Sequence, residues 1–338
     1  SPCMQHTLTM FALQQERWKS VGPLDEPWQA STSARAAASP KCACPASAIA
    51  VFFVACGAAH VFLLKWTFIQ LYFYYSGILS FFYHIVTLGA LVVAYNFYLF
   101  TLKKPVAHLP TIVSGLCLGL ATVLSAHAAQ LNSIGLSQMF ESYMLPVSGM
   151  ALSLFRSDLS PQYLLALAPV CVGVSMVTST DFGLDPKACL FGLLGLLSTV
   201  AYQMTSAYVM STEAMQPLQL LSLQAPVAAA ASLVLALFTD DLVHLATQSF
   251  LVDELVLMVA FALVFSALQI AHLHLLDRFG ILIANVLLAV RICFVFFLGM
   301  LLLHSAFPAR SWIGLLLVAS GAMWLHQTSP RASAGALP

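Results

Sequence analysis

The chain has 338 residues, 60% of them hydrophobic and 8% charged, and its thirteen basic residues balance thirteen acidic ones. A soluble domain carries about a quarter charged residues, so this composition excludes an ordinary globular protein, and the zero net charge gives no footprint for nucleic acid. Long apolar runs, many close to the roughly 20 residues a helix needs to cross a bilayer, instead define an all-α integral membrane protein, and the alternating strands of a membrane barrel are missing.

Residues 1–45 are rich in Ser, Ala, Pro and Gln and have no apolar period, which reads as a disordered cytosolic tail. "STSARAAASPK" has a transit-peptide flavour, but Asp25 and Glu26 argue for a solvated tail instead. Ten spans are then predicted, near 46–66, 72–98, 109–128, 134–155, 162–180, 188–211, 217–238, 252–275, 281–304 and 310–327. Short polar breaks separate them, among them "TLKKPVAH", "RSDLSPQ", "TDFGLDPK" and "LDRFG", with Pro, Asp and Gly as turn formers. Residues 328–338 read as a second cytosolic tail. Of the eight cysteines, four lie inside apolar runs and behave as small hydrophobes. Cys42 and Cys44 have no Cys or His neighbours at zinc spacing. No cofactor is implied.

Lysines and arginines set the orientation. Nine lie in the N-terminal tail, in alternate breaks and at the C-terminus, against Lys65, Lys187 and Arg310 on the other side. The bias places both termini in the cytosol, which requires an even number of spans.

A repeat emerges when "ESYMLPVSGMALSLF" (141–155) is written above "RICFVFFLGMLLLHS" (291–305). Gly149 falls on Gly299, Met150 on Met300 and Leu152 on Leu302. Five spans separate the copies, and an odd number inverts the second. The expectation is a five-plus-five inverted repeat, 46–180 and 188–327, an architecture of secondary transporters whose sites lie near the bilayer midplane.

The same alignment sets Glu141 on Arg291, two charges within membrane spans. An intramembrane Arg costs about 2.5–3.5 kcal/mol on insertion scales and faces a cavity or a partner. The readings are a substrate contact or a structural salt bridge to Glu141. Gln138 lies on the same helix face as Glu141. Tyr202, Gln203 and Gln224 are polar groups in apolar helices and must face the bundle, to touch substrate or another helix. Lys65 borders the first span, as an interfacial anchor or at a cavity mouth. His272 and His274 point to different helix faces and are expected near the cytosolic interface. His84 is read as packing.

"LLKWTF", "YHIVTLGALV", "NSIGLSQMFESYMLPV", "FGLLGLLSTVAYQMTSAYVM", "LLSLQAPVAAA" and "NVLLAVRICFVFFLGMLLLH" together resemble the triose-phosphate translocators and nucleotide-sugar transporters of the drug/metabolite transporter superfamily, over residues 46–327. The resemblance implies a ten-helix antiporter that exchanges phosphorylated sugars or nucleotide sugars for phosphate or a nucleoside monophosphate. Of its two cavity lysines that hold the phosphate, one falls on Arg291 and keeps its charge. The other falls on Glu141, which reverses it, and the family's tyrosine in the eighth span falls near Leu268.

The expectation is therefore an organelle-membrane antiporter, in the Golgi, endoplasmic reticulum or a plastid, and not an enzyme. Arg291 would hold an anionic group, Gln138, Tyr202 and Gln224 would orient the substrate, and Glu141 and Lys65 would complete the site. Expected partners are an anionic small-molecule substrate and counter-substrate, surrounding lipid, and a second copy of the chain in a homodimer, with no nucleic acid. Two alternatives stay open: the same fold carrying an amine, amino acid or drug-like molecule, and a paralogue that transports nothing.

Overall fold

The computed structural model describes residues 45–70, 73–101, 108–131, 134–155, 161–178, 185–247, 252–303 and 309–328. Of the tails predicted at 1–45 and 328–338, residues 1–44 and 329–338 lie outside the described residues, as do Asn132 and Ser133. Every regular element among the described residues is a helix: α1 (Ala46–Gln70), α2 (Ser76–Asn96), α3 (His108–Leu131), α4 (Ile134–Ser142), α5 (Met144–Phe155), α6 (Pro161–Thr178), α7 (Pro186–Thr212), α8 (Pro217–Thr239), α9 (Leu242–Thr247), α10 (Val252–Leu303) and α11 (Ala309–Thr328).

Among the described residues, six helical stretches are long and apolar enough to cross a membrane: Ser47–Ile69, Ser76–Asn96, His108–Leu131, Pro186–Thr212, Pro217–Thr239 and Glu254–Gly299. Large apolar side chains stand outward along them, including Phe52, Val92, Leu197, Leu237 and Leu263. In water such a surface would be an aggregation liability; in a bilayer it is the lipid contact. Serines and threonines within the spans return their hydroxyls to the preceding helical turn, as Thr87 does to Tyr83 O and Thr205 to Ala201 O.

Local chemistry sets the helix ends. Asp185 accepts from Lys187 N at 2.9 Å with Pro186 at the first helical position, so α7 starts there. At the start of α8, Gln219 Oε1 accepts from Gln216 N and Pro217 opens the helix. The predicted 134–155 span is two helices broken at Tyr143. Pro146 causes the break, because its ring cannot donate to the Ser142 carbonyl and crowds it. The segments predicted at 252–275 and 281–304 differ in the other direction. The helix runs on through "LDRFG", and the break contracts to Gly280, at φ 79° and ψ 175°. Without a Cβ, glycine adopts that backbone without strain, so one residue does the work of a loop.

The most extensive helix contacts are α3 with α7, α6 with α11, α1 with α10, α3 with α8 and α2 with α8. Small residues allow the close crossings. A Cβ on Gly173 would meet the Gly314 carbonyl oxygen at 2.5 Å, and one on Gly119 would meet the Ala228 carbonyl oxygen at 2.6 Å. One apolar core joins α1, α5, α6, α7, α8 and α10 through Phe53, Leu145, Val170, Met210, Leu220 and Ile292. A second, aromatic one joins α1, α2 and α10 through Phe68, Tyr83, Phe261 and Phe265.

Candidate functional site: a polar cavity inside the bundle

A cavity open to solvent lies among α1, α2, α3, α4, α7 and α10. Its α3 residues run from Leu118 to Ala129, in the half of the helix toward Leu131, and its α1 residues include His60, Val61, Leu64 and Lys65. It therefore occupies the end of the bundle where α1 and α3 finish and α4 begins. Lys65, Gln138, Glu141, Tyr202 and Arg291 all line it. Sequence positions up to 226 apart thus meet in one chamber.

Arg291 lies on the limb of α10 beyond Gly280 and is 5% exposed. Its Nη2 donates to Glu141 Oε2 of α4, an ion pair between the residues that the internal alignment superposed. The guanidinium carbon lies 5.9 Å from the Phe53 ring centroid, within cation–π range. Gly57 makes room for the Arg291 stem, since a Cβ there would collide with Arg291 Cδ. Lys65 donates its Nζ to Ala129 O at 2.5 Å, on the α3 side of the cavity. Among the lining residues, Lys65 and Arg291 are cationic and Glu141 is acidic.

Aromatic walls complete the chamber. His272 stacks on Phe53 at 5.8 Å and on Tyr202 at 6.4 Å between centroids. His60, Tyr83 and Phe265 form a second group, with Tyr83 on Phe265 at 4.8 Å and His60 on Phe265 at 5.5 Å. Such faces accept flat ligand groups as well as each other.

Five buried polar atoms on this lining have no hydrogen-bond partner: His60 Nε2, Tyr83 OH, Gln138 Oε1, Tyr202 OH and Arg291 Nε. An unsatisfied buried polar group costs about 1–3 kcal/mol, and each of the five has a hydrogen bond to offer a polar group in the chamber.

At the inner end of the cavity, Gln203 of α7 donates to Asn285 Oδ1 at 2.9 Å. Asn285 donates back to Gln203 Oε1 at 3.0 Å and to Ser148 Oγ of α5 at 2.8 Å. All three residues are buried. This network ties α5, α7 and α10 together behind the cavity.

Gln224 lies apart from these groups. Its Nε2 donates to Ser114 Oγ at 2.6 Å and Ser206 Oγ at 3.0 Å, joining α8 to α3 and α7 outside the cavity lining. His272 corrects the expectation of an interfacial position. The first limb of α10 runs a turn beyond the predicted end at 275, which leaves His272 in the cavity wall, while His274 on another face is not part of it. His84 packs against Phe265 and lies 3.0 Å from Thr122 Oγ1. His60, Tyr83, Gln269 and the role of Asn285 were not read from the sequence. The signal was available for His60, a lone polar group in an apolar helix that must face the bundle.

The helices and their outward-facing apolar surface define a multi-pass, all-helical membrane protein. No family model matches the chain. It is similar to UDP-xylose transporter 1 of Arabidopsis thaliana, at 26% identity over 240 residues, 70% of each chain. A solved protein structure shares the fold at a TM-score of 0.63 and 15% identity, covering 85% of this chain and 98% of that one.

Proposed function

We propose that this chain is a secondary transporter that carries a nucleotide sugar or sugar phosphate across an organelle membrane, in exchange for phosphate or a nucleoside monophosphate. The observation that carries the reading is the convergence of Arg291 and the unpartnered atoms of His60, Tyr83 and Gln138 on one chamber inside a membrane bundle. Arg291 Nε and Nη2 suit a phosphoryl oxygen pair, and the Phe53–His272–Tyr202 stack suits a base or sugar face. The similarity to a UDP-xylose transporter supports transport rather than catalysis.

Ten spans arranged as a five-plus-five inverted repeat support alternating access. Taking α4 with α5 as one span and the limbs of α10 as two, a shift of five spans turns the α3–α7 contact into that between α10 and α1. It turns α3–α8 into α10–α2 and leaves α2–α8 and α6–α11 mapped on themselves, all of them contacts the bundle makes. Packing partners thus cross between 46–180 and 188–327, so the moving bodies combine helices from both repeats. With both termini in the cytosol, the cavity opens to the lumen of the Golgi or endoplasmic reticulum and the Gln203–Asn285–Ser148 network closes the cytosolic side. Glu141 keeps a second reading in view, a cationic or uncharged substrate.

The test is uptake into proteoliposomes across a panel of nucleotide sugars, sugar phosphates and amines, with vesicles preloaded with a nucleoside monophosphate or phosphate. Uptake of a phosphorylated substrate that drops at least about tenfold in Arg291→Ala is expected, in line with the loss of a charge-assisted pair. Uptake of amines alone, or no uptake of any panel member, would overturn the reading.

A further inference from the structure

The Arg291–Glu141 pair carries a consequence for how the empty protein moves. A guanidinium left alone in a closed bundle is strongly disfavoured. A carrier whose empty site holds such a charge is therefore held open until an anion arrives, which makes counter-substrate obligatory. Here the anion is built in. Glu141 accepts from Arg291 Nη2, and the arginine is 5% exposed with Phe53 beneath it. We propose that Glu141 stands in for the substrate anion in the empty protein, so that the Arg291 charge is balanced in the unloaded site, the bundle reorients without cargo, and net one-way transport proceeds alongside an exchange that is not obligatory. The inference rests on the transport reading above.

The geometry also supplies a route for the exchange of partners. Arg291 Nε has no partner and belongs to a residue on the cavity lining. An incoming phosphoryl oxygen can therefore engage Nε while Nη2 is still held by Glu141, and the second oxygen then takes Nη2. The guanidinium passes from one anion to the other and is never bare. Glu141 is suited to let go, because its side chain is 25% exposed against 6% for that of Arg291. Released, it keeps water on one side while the arginine stays buried. Lys65 is a second cation on the lining; its bond to the Ala129 carbonyl toward the end of α3 holds its head there but does not cancel its charge, so Glu141 balances Arg291 and not the whole chamber.

The experiment compares initial uptake into empty vesicles with uptake into vesicles preloaded with UMP. The probe is labelled UDP-xylose, or the panel member that exchanges fastest if that is another compound. For the wild type, preloading is expected to stimulate uptake by less than about threefold. In Glu141→Gln the arginine loses its resident anion and the stimulation is expected to rise at least about tenfold, well inside the hundredfold or more that about 3 kcal/mol for an uncompensated buried charge would give. Stimulation of threefold or more in the wild type overturns the inference, as does a Glu141→Gln ratio within threefold of the wild-type ratio. Uptake by the variant in the preloaded arm reports that it is folded, and if it is silent in both arms the wild-type ratio decides. No uptake by the wild type in either arm overturns the transport reading and this inference with it. Uptake that strictly requires preloading overturns this inference alone.

Discussion

Replacing Asn285 by Leu tests whether the network behind the cavity is what holds that end shut. The side chains are near in size, so the substitution removes hydrogen bonds with little change in volume. Asn285 makes three side-chain contacts to other helices, two with Gln203 and one with Ser148. Interhelical hydrogen bonds in membrane proteins average about 0.6 kcal/mol, which gives about 2 kcal/mol for the three. The groups left behind lead to the same figure. Ser148 keeps its bond to Leu145 O, and Gln203 Nε2 keeps only a 3.4 Å contact with His272, so Gln203 Oε1 is orphaned. One orphaned buried acceptor costs about 1–3 kcal/mol. About 2 kcal/mol shifts an opening equilibrium roughly thirtyfold. Hydrogen exchange by mass spectrometry, on detergent-solubilised protein, reads that equilibrium directly. Peptides covering residues 281–290 and 144–150 are expected to lose about thirtyfold in protection, while peptides from α6 and α11 stay as in the wild type. Exchange within twofold of wild type in 281–290 would refute the reasoning and reduce the network to passive packing.

Gly57→Ala places a methyl group against Arg291 Cδ, and overpacking of this kind costs about 1–3 kcal/mol. Substrate affinity by scintillation proximity is expected to fall roughly tenfold, whereas Gly89→Ala, where a Cβ meets open space, leaves it unchanged. Gly173→Val drives a side chain into the backbone of α11 and is expected to lower the detergent melting temperature by several degrees, a loss of about 1–3 kcal/mol. Gln224→Leu removes the bonds to Ser114 and Ser206, for about 1 kcal/mol of stability. Its KM is expected to match the wild type, and a raised KM would put Gln224 back among the substrate contacts.

What the sequence discloses depends on how far the physics is local. Helices and their lipid-facing surface are legible because apolar runs of this length have few other uses. The Arg291–Glu141 pair is legible because a bilayer tolerates such charges only with partners, and an internal alignment named the partner. Tyr202 and Gln138 follow from the same rule. That rule says a polar group faces inward but not what it faces. Gln224 and Gln203 look alike in sequence, yet the first joins three helices outside the cavity while the second lines it and meets Asn285. Breaks are least legible. "LDRFG" reads as a loop, and Gly280 alone makes the turn. Pro146 divides a span that hydropathy draws as one. His272 was misplaced through the first of these, since moving a helix end by one turn carries a side chain from an interface to a cavity wall.

The interlocked packing has a bearing on how the protein is made. The main partners of α1, α3 and α6 are α10, α7 and α11, all from the second half of the chain. When α1 to α6 have left the ribosome, the faces that α10, α7 and α11 will cover have no mates, and α6 must wait for α11. Gly173, whose backbone lies against Gly314 in the finished bundle, would meanwhile face lipid or another membrane protein. Assembly is thus post-translational in character even though insertion is not, and a chain stopped before residue 309 would present quality control with a half-clasped bundle that has no shorter version of itself to settle into.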